Sequence, residues 1–300
     1  MYLIKKIYHN LLPAKLRNRI RIIKNRNTDL GQLRKEIISY YNQLPATAAN
    51  PEMKNILSFI KKNGVATFPY KFIFNYKEED IKVYTDDSTG LPYVLVNNKK
   101  LFFKRSWDHP TVRKNFNFLS IEQDQSSPHL YLTESFNIKL NDTVVDIGAA
   151  EGNFSLGIVE KVKALYIFET DADWIEALQA TFAPWKDKVT IVNLYVSDKV
   201  DAKNITVDAF FVAKPQINFI KIDAEGAERQ ILTGSEKILD QNADLKIALC
   251  TYHKQNDEIE LAQILKQSNF NISYSAGYML FLEDKLTAPF FRKVLIRAHK

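Results

Sequence analysis

Short apolar runs alternate with amphipathic stretches from residue 140 onward. Runs of β-branched and aromatic residues are typical of buried strands, whereas apolar residues that recur every three or four positions are typical of helices. Alternation of the two predicts a parallel sheet with helices on both faces. The predicted strands are 143–147, 164–169, 189–196, 217–223 and 245–251, and the predicted helices are 153–160, 173–182, 227–239 and 257–267.

The C-terminal part of the chain has the spacing of an antiparallel hairpin. Residues 270–274 and 278–282 are two β-type runs, and residues 275–277 supply the turn between them. Residues 293–297 form one further β-type run. We therefore expect a doubly wound α/β fold whose mostly parallel sheet has an antiparallel C-terminal edge.

The first third of the chain has a different pattern. Residues 32–62 have a helical pattern with a break between Pro45 and Pro51, and Gly64 follows as a C-terminal cap. Four short β-type runs come next, with turn residues between the later ones, and they predict a small antiparallel β unit. These runs are 71–76, 81–84, 93–96 and 100–103. The predicted regions are 1–64, helical and basic, 65–110, the β unit, and 111–300, the sheet domain.

Positive charge is concentrated at the N-terminus. The net charge is +6, yet residues 1–30 contain eight basic residues and one acid, so the other 270 residues are close to neutral. That balance argues against a nucleic-acid partner for the body of the chain. Residues 1–30 also predict basic amphipathic helices, broken near Pro13, that make peripheral contact with an anionic membrane. The alternative, equally weighted, is that they pack on their own domain or on a second subunit, as in a homodimer.

Cysteine usage and hydropathy favour a cytoplasmic protein. Cys250 is the single cysteine, so no intramolecular disulfide framework is expected and a reducing compartment is the default. The sequence has no run of 18 apolar residues and no secretory signal pattern. The expected location is the cytoplasm, with the basic N-terminal arm at the inner face of the membrane.

A glycine loop after the first strand of the sheet domain is the strongest chemical signal. Asp146 ends the strand, Gly148 and Gly152 follow, and a helix is predicted from about Asn153. Glycine lets the backbone approach a ligand closely. The spacing differs from the G-x-G-x-x-G of dinucleotide sites, and Glu151 would repel a pyrophosphate but suits a ligand with an amino group and a sulfonium. The loop therefore favours S-adenosylmethionine over NAD.

Polar residues follow every predicted strand of this domain, at the edge where open α/β sheets bind ligands. Glu169 ends the second strand, where a carboxylate can accept the hydroxyls of a ribose. Asp223 and His253 end neighbouring strands and are the candidate bases, and the ordinary pKa of histidine suits proton transfer near neutral pH. Lys221 lies two residues before Asp223, so it faces the same side and can orient Asp223 or the acceptor.

Two further sets of residues are candidates for the acceptor side. Asp223, Glu225 and His253 can together hold Mg²⁺, which prefers carboxylates and water. Without a metal, Glu225 is a substrate contact or an acid at a helix N-terminus. The polar stretch 107–131 is either a cap over the acceptor or a solvated loop. The candidate substrate contacts are Glu122, His129, Tyr131 and Glu225.

Several motifs together resemble the FkbM family of class I S-adenosylmethionine-dependent methyltransferases. They are V-V-D-I-G-A-A-E-G-N-F-S from residue 144, Y-I-F-E-T-D from 166, V-S-D from 196 and F-I-K-I-D-A-E-G-A-E-R-Q-I-L-T-G from 219. E-Q-D-x-x-S-P-H-x-Y from residue 122 resembles the lead-in found in part of the family. The resemblance covers about residues 118–285, and 221–234 is its most specific part. It implies a Rossmann-like, seven-stranded sheet with a reversed last strand.

The resemblance also implies roles for individual residues. Glu169 would hold the ribose of the cofactor, and Ser197 and Asp198 would lie near the adenine. The cofactor-binding set that we predict is Asp146, Gly148, Ala149, Ala150, Glu151, Gly152, Asn153, Phe154, Glu169, Thr170, Asp171, Ser197 and Asp198.

The resemblance implies O-methylation, often of a sugar hydroxyl. We therefore expect an S-adenosylmethionine-dependent O-methyltransferase that acts on a saccharide or glycoconjugate, with Asp223, His253 and Lys221 as catalytic residues. The alternatives are methylation of a non-sugar natural product and a non-catalytic binding protein of the same fold. No N-P-P-Y or D-P-P-Y follows the fourth strand, which argues against nucleic-acid methylation.

Overall fold

The structure is a computed structural model that describes residues 29–45, 51–282 and 286–300. The basic helices predicted for residues 1–30 lie outside this part of the chain except for the last two residues. No helix among the described residues is long and apolar enough to cross a membrane.

The described residues form two compact units. One contains the residues up to Ile73 together with Gly277–Arg292, and the other contains Phe74–Ala276 and Lys293–Lys300. The region boundaries that we place after residues 64 and 110 stay predictions.

Two helices dominate the first unit, as predicted. They are α1, Asp29–Gln43, and α2, Pro51–Asn63. Ile56 and Ile60 lie one turn apart on α2 and are fully buried, so this helix presents one apolar face to the core. The Gly64 N–H donates to the carbonyl of Ile60 at 3.0 Å, which confirms the predicted C-terminal cap.

The second unit begins with a small antiparallel sheet. Its strands, β1, β2 and β3, are Tyr84–Thr85, Pro92–Val96 and Lys99–Phe102. The β unit is thus confirmed, but the strand predicted at 71–76 is wrong, because Lys71–Asn75 forms a 3₁₀ helix. None of its residues is buried, so the run has no apolar face for a sheet to cover, and local hydrogen bonds satisfy the backbone instead. Of the run predicted at 81–84, only Tyr84 is in a strand.

Helix α3, His109–Glu122, occupies most of the polar stretch that precedes the main sheet. Asp108 caps it by accepting a hydrogen bond from the Thr111 N–H at 2.8 Å, and a proline follows in the first turn. The solvated-loop alternative is therefore wrong for this part of the stretch.

Strands and helices alternate through most of the chain from residue 143 onward, as predicted. They are β4 Thr143–Ile147, α4 Asn153–Ile158, β5 Ala164–Phe168, α5 Ala172–Phe182, β6 Val189–Val192, β7 Tyr195–Val196, β8 Asn204–Ile205, α6 Val207–Phe210, β9 Phe219–Ile222, α7 Glu228–Thr233, α8 Glu236–Gln241, β10 Lys246–Cys250, α9 Asp257–Gln267, β11 Asn271–Tyr274 and β12 Leu295–His299. The strand order is β11-β12-β10-β9-β4-β5-β6. Strand β12 runs antiparallel to both of its neighbours, and the other pairings are parallel. The predicted fold class is confirmed.

Two predicted elements are divided in the structure. The strand predicted at 189–196 stops at Val192, and β7 pairs with β8 in a separate two-stranded sheet. The helix predicted at 227–239 is interrupted, because Gly234 lies directly against the chain after β7. A Cβ on Gly234 would come within 2.0 Å of the Ser197 carbonyl oxygen, so only glycine permits this approach.

The predicted C-terminal hairpin is wrong. Strand β11 pairs with β12 rather than with residues 278–282, which contain only an isolated bridge between Met279 and Arg292. Leu280 in this run packs in the core of the first unit. Strand β12, whose Leu295 is fully buried, takes the place beside β11. The chain therefore leaves the sheet after residues 275–277 and returns to it as β12.

Candidate active site

A cavity of about 290 Å³ lies at the carboxyl ends of β4, β5 and β9. The chain leaves β4 towards β5 and β6 on one side and returns to β9 and β10 on the other, so this is the switch point of the sheet. Among the predicted cofactor residues, Gly148, Ala150, Glu169, Thr170 and Asp171 line this cavity, and Asp223 and Glu225 line it too.

The glycine loop crosses close to the end of β9. Gly148 has a φ of 73°, and a Cβ there would lie 1.9 Å from the Asp223 carbonyl oxygen. Its N–H donates to the Phe168 carbonyl at 3.0 Å, at the end of β5. Glycine at this position therefore lets the loop fit between the ends of β5 and β9, the two strands that flank β4, and forms part of the cavity wall.

Three backbone N–H groups hold the Glu169 carboxylate at the cavity. Oε1 accepts from Thr170 at 2.6 Å and Asp171 at 2.9 Å, and Oε2 accepts from Ala150 at 2.9 Å. A carboxylate has about four acceptor positions. Glu169 is thus fixed in place and retains capacity to accept a ligand hydroxyl.

The other predicted cofactor residues do not line this cavity. Asp146 is fully buried and accepts a hydrogen bond from Ser155 Oγ at 2.7 Å. Leu194 and Tyr195 line the cavity, whereas the adjacent Ser197 and Asp198 lie beyond it. The remaining residues outside the lining are Ala149, Glu151, Gly152, Asn153 and Phe154. Their roles in cofactor binding stay predictions.

Lys221 is a buried cation behind the glycine loop. Its Nζ donates to the Gly148 carbonyl at 2.5 Å and lies 3.0 Å from Asp146 Oδ1. Burial opposes its charge, but the carboxylates of Asp146 and Asp223 outweigh burial and raise the pKa of Lys221 above its ordinary value. Lys221 therefore anchors the loop and supplies a fixed positive charge beside Asp223.

Two tyrosine hydroxyls donate to the Asp223 carboxylate. Tyr131 donates to Oδ2 at 2.6 Å, and Tyr252 donates to Oδ1 at 3.0 Å. Burial raises the pKa of both phenols well above the ordinary value, so both remain protonated donors. For Asp223, burial favours the neutral acid, but Lys221 and two histidines outweigh it and lower the pKa well below its usual range. Asp223 is therefore a stable anion and a weak base.

His253 lies between two carboxylates. Its Nδ1 is 2.8 Å from Glu228 Oε1, and its Nε2 is 3.5 Å from Asp223 Oδ1. Burial disfavours the protonated ring, but the hydrogen bond that the ring donates to Glu228 and the charge of Asp223 outweigh burial and raise the pKa of His253. His253 is thus a stronger base than Asp223.

His129 lies on the other side of Asp223 and is almost fully buried. Its Nε2 is 3.2 Å from the Tyr252 hydroxyl and 3.7 Å from Asp223 Oδ2. Burial lowers the pKa of His129 to about 4, so the ring is neutral at physiological pH. The structure therefore brings His129 and Tyr131 to the catalytic candidates, while Glu122 ends α3, and the roles of all three as substrate contacts stay predictions.

Glu228 is the residue that sequence reasoning missed. Glu225, the acid predicted beside Asp223 and His253, is exposed on the cavity wall, whereas Glu228 is buried against His253. Both are in the A-E-G-A-E motif, so the signal was a second acid three residues further on.

The predicted metal site contained Glu225, but in the structure Glu228 is the acid that lies near Asp223 and His253. Among the described residues, Asp223, Glu228 and His253 form one group whose ligand atoms lie within 4.8 Å of one another, and His129, Asp223 and Cys250 form a second. The two ring nitrogens of His253 face different carboxylates. This arrangement fits a hydrogen-bonded chain rather than the oxygen ligand set that Mg²⁺ prefers.

The fold and this site together define a class. A doubly wound sheet with one reversed strand, a glycine loop at the switch point and an acid after β5 are features of Rossmann-like methyltransferases. Residues 101–284 match the model of the methyltransferase FkbM domain. Because that match covers more than half of the sequence, the chain belongs to the FkbM methyltransferase family. The assignment confirms the resemblance and supports S-adenosylmethionine as the methyl donor.

Solved structures of methyltransferases are similar to the chain at low identity. The methyltransferase FkbM from Methylobacillus flagellatus KT is 16% identical, with a TM-score of 0.46 over 64% of this chain and 52% of that chain. Precorrin-6y C5,15-methyltransferase from Geobacter metallireducens GS-15 is 11% identical, with a TM-score of 0.40 over 55% of this chain and 82% of that one. A putative methyltransferase from Streptococcus mutans in complex with SAH is 15% identical, with a TM-score of 0.39 over 54% and 90%.

The chain thus spans about half the length of the Methylobacillus protein. Because all three TM-scores are low, these likenesses carry no weight in the assignment of function. No curated protein matches the chain.

Proposed function

We propose that this methyltransferase uses S-adenosylmethionine to methylate a hydroxyl of a saccharide or glycoconjugate, with His253 as the general base. The observation that carries the proposal is the position of His253 Nε2, 3.5 Å from Asp223 Oδ1, because Asp223 also lines the cavity at the switch point. An alcohol is a weak nucleophile and needs a base within reach of its proton. His253 supplies a base there.

The cavity suits the nucleoside part of the donor. Phe168 and Trp174 give it apolar walls for a flat ring, and Glu169 offers a carboxylate to hydroxyls. Its size is near the lower end of ligand pockets. S-adenosylmethionine, when bound, supplies a methyl group already activated by a positive sulfur.

Asp223 and His253 have different roles in the proposed proton transfer. Asp223 stays ionised, so it orients the His253 ring and stabilises the imidazolium after proton transfer. His253 Nε2 would accept the proton of the acceptor hydroxyl, whose oxygen would take the methyl group that bound S-adenosylmethionine supplies.

A polyhydroxylated acceptor accounts for the density of polar groups beside Asp223. The hydroxyls of Tyr131 and Tyr252 and the ring of His129 all lie within hydrogen-bonding reach of one another or of Asp223. A sugar presents several hydroxyls to such a cluster, and aromatic rings can pack on its apolar face. These features favour a saccharide over a natural product with one isolated hydroxyl.

Location and partners stay expectations of this proposal. A cytoplasmic enzyme with an acceptor on a lipid carrier would give the basic residues 1–30 a reason to contact an anionic membrane. A homodimer is the alternative role for this arm. A divalent metal is not required by the proposed chemistry.

Two experiments test the proposal. Calorimetric titration of the full chain with S-adenosylhomocysteine tests the cofactor, and the folded protein is expected to bind it. Methyl transfer is then screened on nucleotide sugars, lipid-linked glycans and non-sugar alcohols, with the His253→Gln variant alongside. Transfer to sugars that the variant loses supports the proposal. Preference for non-sugar alcohols, or normal turnover by the variant, would overturn the acceptor or the base, respectively.

A further inference from the structure

Glu228 is a buried carboxylate to which the proposed reaction gives no role so far. It is 1% exposed and begins α7. Its Oε1 lies 2.8 Å from His253 Nδ1 and also accepts from the N–H groups of Ala224 at 3.0 Å and Gly226 at 3.3 Å. One oxygen therefore contacts both the loop after β9 and the ring of His253.

We propose that Glu228 is a positioning residue that fixes His253 in the tautomer with its proton on Nδ1. This inference rests on the proposed function, in which His253 is the base. A neutral imidazole carries one N–H and one lone pair, so the partner of one nitrogen decides which of the two is free. An ionised Glu228 only accepts, and its Oε1 at 2.8 Å from Nδ1 is closer than Asp223 Oδ1 is to Nε2, at 3.5 Å, so the proton is favoured on Nδ1 and the lone pair on Nε2.

The surroundings of Glu228 keep it ionised. Burial alone would favour the neutral acid, but the hydrogen bond with His253 and the backbone N–H groups outweigh burial and lower the pKa of Glu228. The ring of Tyr252 packs on His253 with centroids 4.2 Å apart, so the imidazole is held on its face as well as at its edge. Glu228 sets the tautomer, and Tyr252 limits rotation of the ring.

A purely structural role for Glu228 is the competing explanation. The carboxylate would then only hold the loop through the N–H groups of Ala224 and Gly226. The two roles differ in what they predict for the ring of His253. A loop anchor has no influence on the tautomer, whereas a positioning residue determines it.

Nitrogen NMR of the full chain with labelled histidine measures the tautomer directly, and the His253→Gln variant assigns the signal. In the wild type at a pH where the ring is neutral, we expect Nδ1 to carry the proton. Glu228→Ala should move the ring towards the Nε2–H tautomer and lower kcat by about tenfold or more, with little change in the KM for the methyl donor. Glu228→Gln keeps an acceptor oxygen, so it should keep the wild-type tautomer and a rate within about threefold.

Glu236→Ala is the matched control, since Glu236 is an exposed glutamate at the start of the next helix. It should leave tautomer and rate unchanged. An Nε2–H tautomer in the wild type overturns the inference even if Glu228→Ala fails to fold, and so does a wild-type tautomer in folded Glu228→Ala. The NMR result does not depend on turnover. Normal activity of His253→Gln would instead overturn the proposed base and leave the tautomer result standing.

Discussion

The hydroxyl of Tyr131 lies 2.6 Å from Oδ2 of Asp223, although 92 residues separate the two in the sequence. This contact ties the segment after α3 to the end of β9. Arg297 supports the same segment by donating to the carbonyls of Leu130, at 2.5 Å, and Tyr131, at 3.3 Å. The carboxylate at the centre of the site is therefore held by a segment that precedes the sheet as well as by the strand that carries it.

Removal of the Tyr131 hydroxyl should weaken this arrangement. Tyr131→Phe deletes a hydrogen bond to a buried charge, and such bonds contribute about 1.5 to 3 kcal/mol. We expect the free energy of unfolding in urea to fall by about 2 kcal/mol and turnover to drop. Tyr84→Phe, at an exposed tyrosine of the small sheet, is the control and should change neither quantity. Equal stability of Tyr131→Phe and the wild type would show that the contact contributes nothing.

Loss of the Asp223 charge should affect chemistry more than donor binding. Asp223→Asn keeps the shape of the side chain at the cavity but removes the anion that orients His253 and stabilises its protonated form. We expect turnover to fall by about a hundredfold or more, since a removed electrostatic group of this kind costs roughly 3 to 4 kcal/mol. Calorimetry should find the affinity for S-adenosylhomocysteine largely kept. A large loss of affinity with normal turnover at saturation would contradict this assignment.

Substitution of Glu169 should weaken donor binding more than it lowers turnover. Glu169→Gln removes the charge that we propose accepts the ribose hydroxyls, and one of the held oxygens becomes a donor that opposes a backbone N–H. We expect the affinity for S-adenosylhomocysteine to fall by about tenfold to a hundredfold, with turnover at saturating donor little changed. Glu134→Gln, at an exposed glutamate away from the cavity, should bind as the wild type does. Wild-type affinity in Glu169→Gln would remove Glu169 from the donor site.

Activity should rise with pH through the titration of His253. The base must be unprotonated, and Glu228 and Asp223 outweigh burial and raise the pKa of His253 above its ordinary 6.5. The rate is therefore low below this pKa and increases as pH rises through it. The pH profile of kcat checks this, and we expect its half-maximum above 6.5. A rate already at its plateau at about pH 5 would point to a base with a much lower pKa.

Local patterns predicted the alternating strands and helices but not the pairing of β11 with a strand that is distant in the sequence. The alternation of apolar runs gives the parallel strands β4, β5, β6, β9 and β10, because each run is long enough to show its own period. The partner of β11 depends on competition between residues 278–282 and β12 for one place in the sheet. Turn residues at 275–277 favour the near partner, whereas in the folded sheet β12 lies between β10 and β11 and pairs with both.

The sequence likewise predicted only part of the candidate site. Motif spacing indicates that Glu169 and Asp223 lie at one edge of the sheet, because parallel strands present their carboxyl ends at the same edge. In the structure they follow β5 and β9, the two strands that flank β4. Spacing does not indicate which acid of A-E-G-A-E faces inward. Glu225 has a φ of 52° and is exposed, whereas Glu228 is in the first turn of α7 and faces His253. That choice depends on a backbone turn that one sequence does not reveal.

Glu151 in the glycine loop gives the stability of the protein a distinct pH dependence. Burial raises the pKa of this carboxyl from 4.5 to about 7. The folded state therefore holds the proton more tightly than the unfolded chain, so the contribution of Glu151 is complete below about pH 4.5 and is lost as pH rises through about 7. The loss amounts to about 3 kcal/mol in the free energy of unfolding.

Glu151→Gln removes this titration, so the stability of the variant relative to the wild type should increase between about pH 5 and 8. Urea unfolding at several pH values measures the difference, and Glu134→Gln should track the wild type throughout. A constant difference between Glu151→Gln and the wild type over this range would mean that Glu151 is already ionised in the folded loop. In that case its charge is available to the amino group or sulfonium of the donor without any cost of deprotonation.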